Sequence, residues 1–432
     1  MFRSIARLVV PVGMVSVSVL ASLANAQVSP SLPNPSTAPN PLTMTISIFR
    51  SNMQDKIMKS ADEMPESKYS YRPTKGVHSL AEIQQSTAPT LAAKKDGHAE
   101  IAAHAAEWLK ESDVPSVAVA YIEDRKVAWT EVYGEQSPGV AATGRTLYNM
   151  ASLTKPVTAE TVLRLASAGK LSLDESMSPF WLDPDIKDDS RSKLLTPRLC
   201  LSHQTGFANW RRMTGGVLTI RWEPGTQTGY SGEGYNYVGR FAEKKMAKPF
   251  DVLAQEMVFD AIGMKETSYT AKEWYAGRLA VPRGPQGEKP IDPTATTWNG
   301  ADLLRTTIGD YAKFVVSVMH DESLTKELAA ERATMTRDLV KPQDLDKVCK
   351  AAGEPGHCTM TAGMGLGWEV ETVNGIEILN HDGSDWGVKT LAMFVPSQGI
   401  GLIVFTNGEN GREVIRKIVE ALYPNQLFVA TI

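Results

Sequence analysis

Two widely separated stretches of the chain carry the same pattern. Residues 116–134, SVAVAYIEDRKVAWTEVYG, are two β-favouring runs around the polar turn Glu123-Asp124-Arg125-Lys126. Residues 388–408, VKTLAMFVPSQGIGLIVFTNG, repeat that arrangement around Pro396-Ser397-Gln398-Gly399. Both read as β-hairpins. HAEIAAHAAEWLKES, from His98, precedes the first, and REVIRKIVEALY follows the second. Each repeats apolar positions at helical spacing. A hairpin and a helix at each end predict one central antiparallel sheet built from both chain ends and flanked by helices.

The middle of the chain differs. TAETVLRLASAG, NYVGRFAEKKMAKP, FDVLAQEMVFDAIGM and IGDYAKFVVSVMH are helical patterns broken by Pro and Gly. The economical layout is an α/β fold with residues 98–175 and 355–432 in the α/β layer and a mainly helical insertion at 176–354.

Composition removes several function classes. The 432 residues are 42% apolar and 22% charged, ordinary for a folded protein and against wholesale disorder or a multi-span membrane protein. A formal charge of -4 gives no electrostatic reason to expect nucleic acid. The start is a short basic segment, the apolar run LVVPVGMVSVSVLASLA, and Ala24-Asn25-Ala26. That order reads as a secretory signal peptide over 1–26, with a retained N-terminal anchor as the other reading. Once the signal is cleaved, no membrane-spanning segment is expected. Residues 27–97 form an extension of uncertain structure.

Cys349 and Cys358 flank KAAGEPGH and are placed to close a small loop disulfide if their geometry allows. Cys200, in LTPRLCLSH, reads as a small buried hydrophobe. The seven histidines lack metal-ligand spacing, so no metal is expected.

The strongest chemical signal is Ser152-Leu153-Thr154-Lys155, at the start of a helical pattern that ends near Gly169. Serine and lysine three apart share a helical face. A serine hydroxyl needs a nearby base, and partial burial would lower the lysine pKa toward that task. The helix N-terminus adds N–H groups where an oxyanion could form. A bare Ser-x-x-Lys also fits a helix cap with a surface lysine.

ASLTK with the following TAETVLRLASAGKLSLDE resembles the first motif of class C serine β-lactamases and related penicillin-binding proteins, esterases and D-peptidases. The likeness extends through LLTPRLCLSHQTGF, FDAIGMKETSY and the C-terminal hairpin, over roughly 98 to 425. It implies a β-lactamase/transpeptidase-like fold, a nucleophilic Ser152 and no cofactor. Tyr230, in Tyr230-Ser231-Gly232, matches the family tyrosine that works with the lysine as general base and then protonates the leaving group. A phenol pKa near 10 must be lowered by a neighbouring cation for that role. Gly232 stands where the family has asparagine and supplies no side-chain donor or acceptor. The departure implies weak recognition of classical β-lactams, while a simple ester misses the contact less. Asn236 and Gln227 are nearby substitutes.

His381-Asp382-Gly383 matches the third family motif. Gly383 lets backbones approach closely. The Ser384 N–H is the expected second oxyanion donor beside that of Ser152. His381 is expected to hydrogen-bond at the wall and to tune Tyr230 or bind a carboxylate when protonated. His203 reads as structural, and Trp210, Trp222, Trp298 and Trp386 as core or cleft residues. A stretch from Met53 to Ile83 also resembles part of a DinB-like helical bundle, far too short to be all of it.

The resemblance therefore implies an exported, periplasmic or secreted serine hydrolase. Its expected partner is a small-molecule ester, β-lactam or D-amino-acid peptide. The alternative is a penicillin-binding or cell-wall-binding protein with little or no turnover.

Overall fold

The computed structural model describes residues 91, 93–289, 295–351, 358–424 and 429. The expected signal peptide, the DinB-like stretch and nearly all of the 27–97 extension lie outside the described residues.

Helix α1, Gly97–Glu111, buries Ile101, Ala105 and Leu109 along one face. Strand β1, Ser116–Glu123, pairs antiparallel with β2, Lys126–Ser137. Asp124 and Arg125 close this hairpin at φ of 51° and 56°. Those left-handed values let a two-residue turn follow the strand twist. Strand β3, Val140–Ala141, adds a short edge, and β4 follows at Tyr148–Asn149.

The helical part comes next. Helix α2, Thr154–Ser167, has 12 of its 14 residues buried, which places it at the centre of this layer. Its buried Glu160 accepts from Arg332 Nη1 at 2.9 Å, so the charge is paired where water is absent. Helix α3, Gly232–Met246, is capped by Ser231, whose Oγ accepts from the Gly234 N–H. Strands β5, Arg283–Gly284, and β6, Gly287–Glu288, form a small hairpin. Strand β7, Arg305–Thr306, pairs with β4. Helix α4, Ile308–Met319, then packs on the sheet.

The chain returns to the sheet through β8, Met360–Met364, β9, Glu369–Val373, β10, Ile376–Asp385, β11, Val388–Val395, and β12, Ile400–Thr406. Helix α5, Gly411–Leu422, follows. The main sheet runs β3-β2-β1-β12-β11-β10-β9-β8. Strand β12 lies antiparallel to β1, with Val117 opposite Thr406 and Ala120 opposite Ile403. The expected antiparallel sheet built from both ends is thus the fold.

Alternation along β1 divides two cores. Ala118, Ala120 and Ile122 join the core that includes α2 and α4. Val117, Val119 and Tyr121 join the core that includes α1 and α5. Cys349 and Cys358 form a disulfide with Cα atoms 5.7 Å apart, and Cys200 is free and buried. No helix among the described residues is long and apolar enough to cross a membrane.

Candidate active site

Ser152 occupies a 3-10 turn, Ala151–Leu153, that leads from β4 into α2. Asn149 Oδ1 pins this turn by accepting from the Ala151 N–H at 3.1 Å and from Arg305 Nη1 at 2.9 Å. Ala151 is held at φ 46°. A left-handed non-glycine residue costs roughly 1–3 kcal/mol, so its surroundings must hold it there.

The α2 periodicity turns Lys155 back toward Ser152. Its amine is fully buried and donates to Ser152 Oγ at 2.9 Å and to Ala301 O at 2.9 Å. Burial pushes its pKa down to about 7, against the pull of the Asp302 and Asp382 carboxylates. Three rings surround the Nζ: Tyr230 at 4.8 Å, and Trp210 and Tyr235 at 5.9 Å each, to their centroids. Such faces attract the ammonium form that burial disfavours.

Tyr230 reaches the site from the loop before α3, close enough to Ser152 for that side chain to influence its phenol. The expected lowering of its phenol pKa is not found. Burial pushes it up, the Ser152 side chain pulls it down, and the charges of Asp382, Glu369 and Asp302 push it up further. His203 positions the ring by stacking on it at 4.3 Å. Its Nδ1 accepts from the Ser231 N–H at 3.0 Å, which fixes that nitrogen as an acceptor.

The far wall is β10. Strand β9 leaves β10 after Asn380, so His381 to Asp385 pair through β11. A Cβ on Gly383 would collide with Thr390 Oγ1 and lie 2.6 Å from Met150 O. Only glycine permits this approach to the Ser152 turn. Ser384 follows as an exposed residue of the strand. His381 is 1% exposed, and its Nδ1 donates to Asp382 O at 2.6 Å. Its Nε2 is buried without a hydrogen-bond partner. Burial and the Lys155 charge push its pKa down to about 4, while Asp382 pulls it up. Near neutral pH that burial keeps the imidazole uncharged, and its ring centroid lies 6.1 Å from that of Tyr230.

Residues 100–423 match the β-lactamase family. The chain belongs to that family. It is 25% identical over 298 residues to penicillin-binding protein 4 of Amycolatopsis lactamdurans, covering 62% of this chain and 74% of the relative. It is also 25% identical over 356 residues to the unguisins hydrolase ungD of Aspergillus violaceofuscus, covering 70% of this chain and 59% of that protein. Its fold is similar to that of the octameric penicillin-binding protein homologue from Pyrococcus abyssi, at a TM-score of 0.61 and 19% identity over 75% of this chain and 77% of the other.

In this β-lactamase-family chain, sequence reasoning misses Asp302. Burial and the Asp385 charge raise its pKa to about 6, while Lys155, Arg305 and Arg212 pull it down. It lies in an Asn-Gly-Ala-Asp loop that carries no motif, and only the fold brings it to Lys155. Asn236 Oδ1 accepts from the Gly300 N–H at 2.9 Å, which ties that side chain to the loop before Asp302. Gln227 is exposed. Of the candidate tryptophans, Trp210 comes to Lys155, while Trp298 packs on Phe250 in the core. No cluster of three or more potential metal ligands occurs among the described residues.

Proposed function

We propose that this β-lactamase-family protein is an exported serine hydrolase that opens a small ester, β-lactam or D-amino-acid peptide through an acyl-enzyme on Ser152. The observation that carries this reading is the 2.9 Å contact between Lys155 Nζ and Ser152 Oγ in a pocket that pushes the amine pKa down to about 7. Near neutrality a substantial fraction of the amine is unprotonated and able to take the serine proton.

Neutral Lys155 accepts the Ser152 proton as Oγ attacks the carbonyl carbon. The backbone N–H groups of Ser152 and Ser384 hold the resulting oxyanion. Tyr230, a neutral phenol, donates its proton to the leaving group as that bond breaks, and the Lys155 ammonium returns a proton to Tyr230. Water repeats the sequence on the acyl-enzyme, freeing Ser152. This assignment gives the first proton to lysine rather than tyrosine, because burial favours a neutral phenol and disfavours an ammonium. The signal-like first 26 residues support a periplasmic or secreted site of action.

The name of one relative, penicillin-binding protein 4, favours a second reading in which acylation is not followed by turnover. One experiment separates the two. A fluorophosphonate probe is followed by intact mass, beside kcat/KM for an aryl ester and a chromogenic cephalosporin. The hydrolase reading expects a label on Ser152, turnover, and loss of both in Ser152→Ala, at least about 10³-fold for turnover. Labelling without turnover supports the second reading. Turnover that survives Ser152→Ala at the wild-type rate defeats both.

A further inference from the structure

Gly232 is the first residue of α3, and its φ lies outside the left-handed region, so conformation does not demand glycine there. Space does. A Cβ at 232 would lie 2.7 Å from Trp210 Cη2, 2.8 Å from Cζ3 and 3.1 Å from Cζ2. The indole fills the volume into which a side chain at 232 would start. Its centroid stands 5.9 Å from Lys155 Nζ, and Trp210 is half-buried.

The ring is held there by its own segment. Asn209 Oδ1 accepts from the Gly232 N–H at 2.8 Å, and Asn209 O accepts from the Glu233 N–H at 3.1 Å. The Glu233 carboxylate accepts from the Arg211 N–H at 2.9 Å and from Arg211 Nη2 at 2.9 Å. Arg211 also pairs with Asp183 and Asp185. The residues on both sides of Trp210 are therefore fastened to the first turn of α3. Such a clamp makes the indole a pre-set wall rather than a mobile flap.

We propose that Trp210 is a specificity-determining residue of this site, selecting esters with an unfunctionalised acyl group over substrates that carry an acylamino group beside the scissile carbonyl. The inference rests on the Ser152 hydrolase reading. An asparagine side chain offers two donors and an acceptor, whereas indole offers one N–H donor and an apolar face. An acylamino group placed against that face gives up its water without full pairing, which is costly. An alkyl or aryl acyl group has no such need and packs on the ring. The indole thus both blocks the amide-bearing side chain and replaces its chemistry.

The test is a double-mutant cycle on kcat/KM for p-nitrophenyl butyrate and an acylamino chromogenic cephalosporin. Gly232→Asn alone has no room, and is expected to lose tenfold or more on both substrates. Trp210→Ala with Gly232→Asn supplies the room and the amide, and its cephalosporin-to-ester ratio is expected to rise tenfold or more over wild type. A double-variant ratio within twofold of wild type overturns the inference. So does Gly232→Asn alone raising the ratio as far as the double variant. Trp210→Leu keeps Gly232 and provides a second reading if the double variant does not fold. Its ester KM is expected to rise at least threefold with kcat less changed, and an unchanged KM counts against the wall. Fluorophosphonate labelling of the wild type distinguishes the failures. An unlabelled Ser152 defeats the hydrolase reading, whereas labelling with an unchanged ratio defeats the Trp210 inference alone.

Discussion

Lys155 meets opposing demands at a single atom. Removal of water favours the neutral amine, while Asp302 and Asp382 favour the ammonium, and the balance falls at about 7. A lysine that supplies the base does so in its deprotonated form, so kcat/KM is expected to rise with pH through a limb near 7 and then level. His381, at about 4, is already neutral across that limb. Because Asp302 and Lys155 interact, the limb belongs to the pair. Asp302→Asn removes a negative charge that stabilises the ammonium, and the limb should move to lower pH. Profiles of kcat/KM for both proteins check this, and a limb that stays in place contradicts the assignment. At this scale legibility follows sequence distance. Ser152 and Lys155 lie in one short motif, and Tyr230 has recognisable neighbours. Asp302, the place of Trp210 beside Lys155 and the stacking role of His203 arise only when separate loops meet.

The elements of the candidate site meet where β10 presses on the turn that carries Ser152. Adding a methyl group at Gly383 forces it against Thr390 Oγ1 and Met150 O, the latter also bonded by Thr390 Oγ1 at 3.0 Å. Gly383→Ala is therefore expected to move the strand from the turn and lower kcat by about 10²-fold, the effect of an approximately 1 Å misplacement. Ser384→Ala keeps the backbone N–H and is expected to stay within a few-fold of wild type. Steady-state kinetics beside a thermal melt check the pair, and equal losses in both would refute a backbone donor at 384. The same region explains what sequence patterning leaves out. Strands β1, β11 and β12 announce themselves through apolar runs around short turns. Strands β8 to β10 read MTAGM, EVETV and IEILNHDGSD, where Gly, Thr, Glu, Asn and Asp dilute the alternation. Those polar residues include the third motif, so the strand's chemistry obscures its secondary structure.

Across the described residues, the main sheet separates two cores, and the Ser152 site belongs to the face covered by α2 and α4. The opposite core joins Ile101, Ala105 and Leu109 of α1 to Val414, Ile415, Ile418 and Val419 of α5. Stability and catalysis should therefore be separable. Ile418 is fully buried in that second core. Cutting it to alanine removes apolar contacts and leaves a cavity, at a cost of about 2–5 kcal/mol. Arg412, near the start of α5, pairs with Asp382, whose charge reaches Lys155. Ile418 lies further along the helix, so its truncation spares that link. Ile418→Ala is expected to lower the melting temperature by several degrees while leaving kcat/KM unchanged for the folded protein. Thermal melts and assays well below the transition check this. A parallel loss of kcat/KM at low temperature would mean that strain crosses the sheet to the Ser152 turn. The pairing of Val117 with Thr406 makes the expected loss global rather than local, since β1 and β12 join distant segments in the same central ladder. Such long-range strand pairing must bring distant segments together before either core closes, so weakening one core should weaken the entire sheet without reshaping the site.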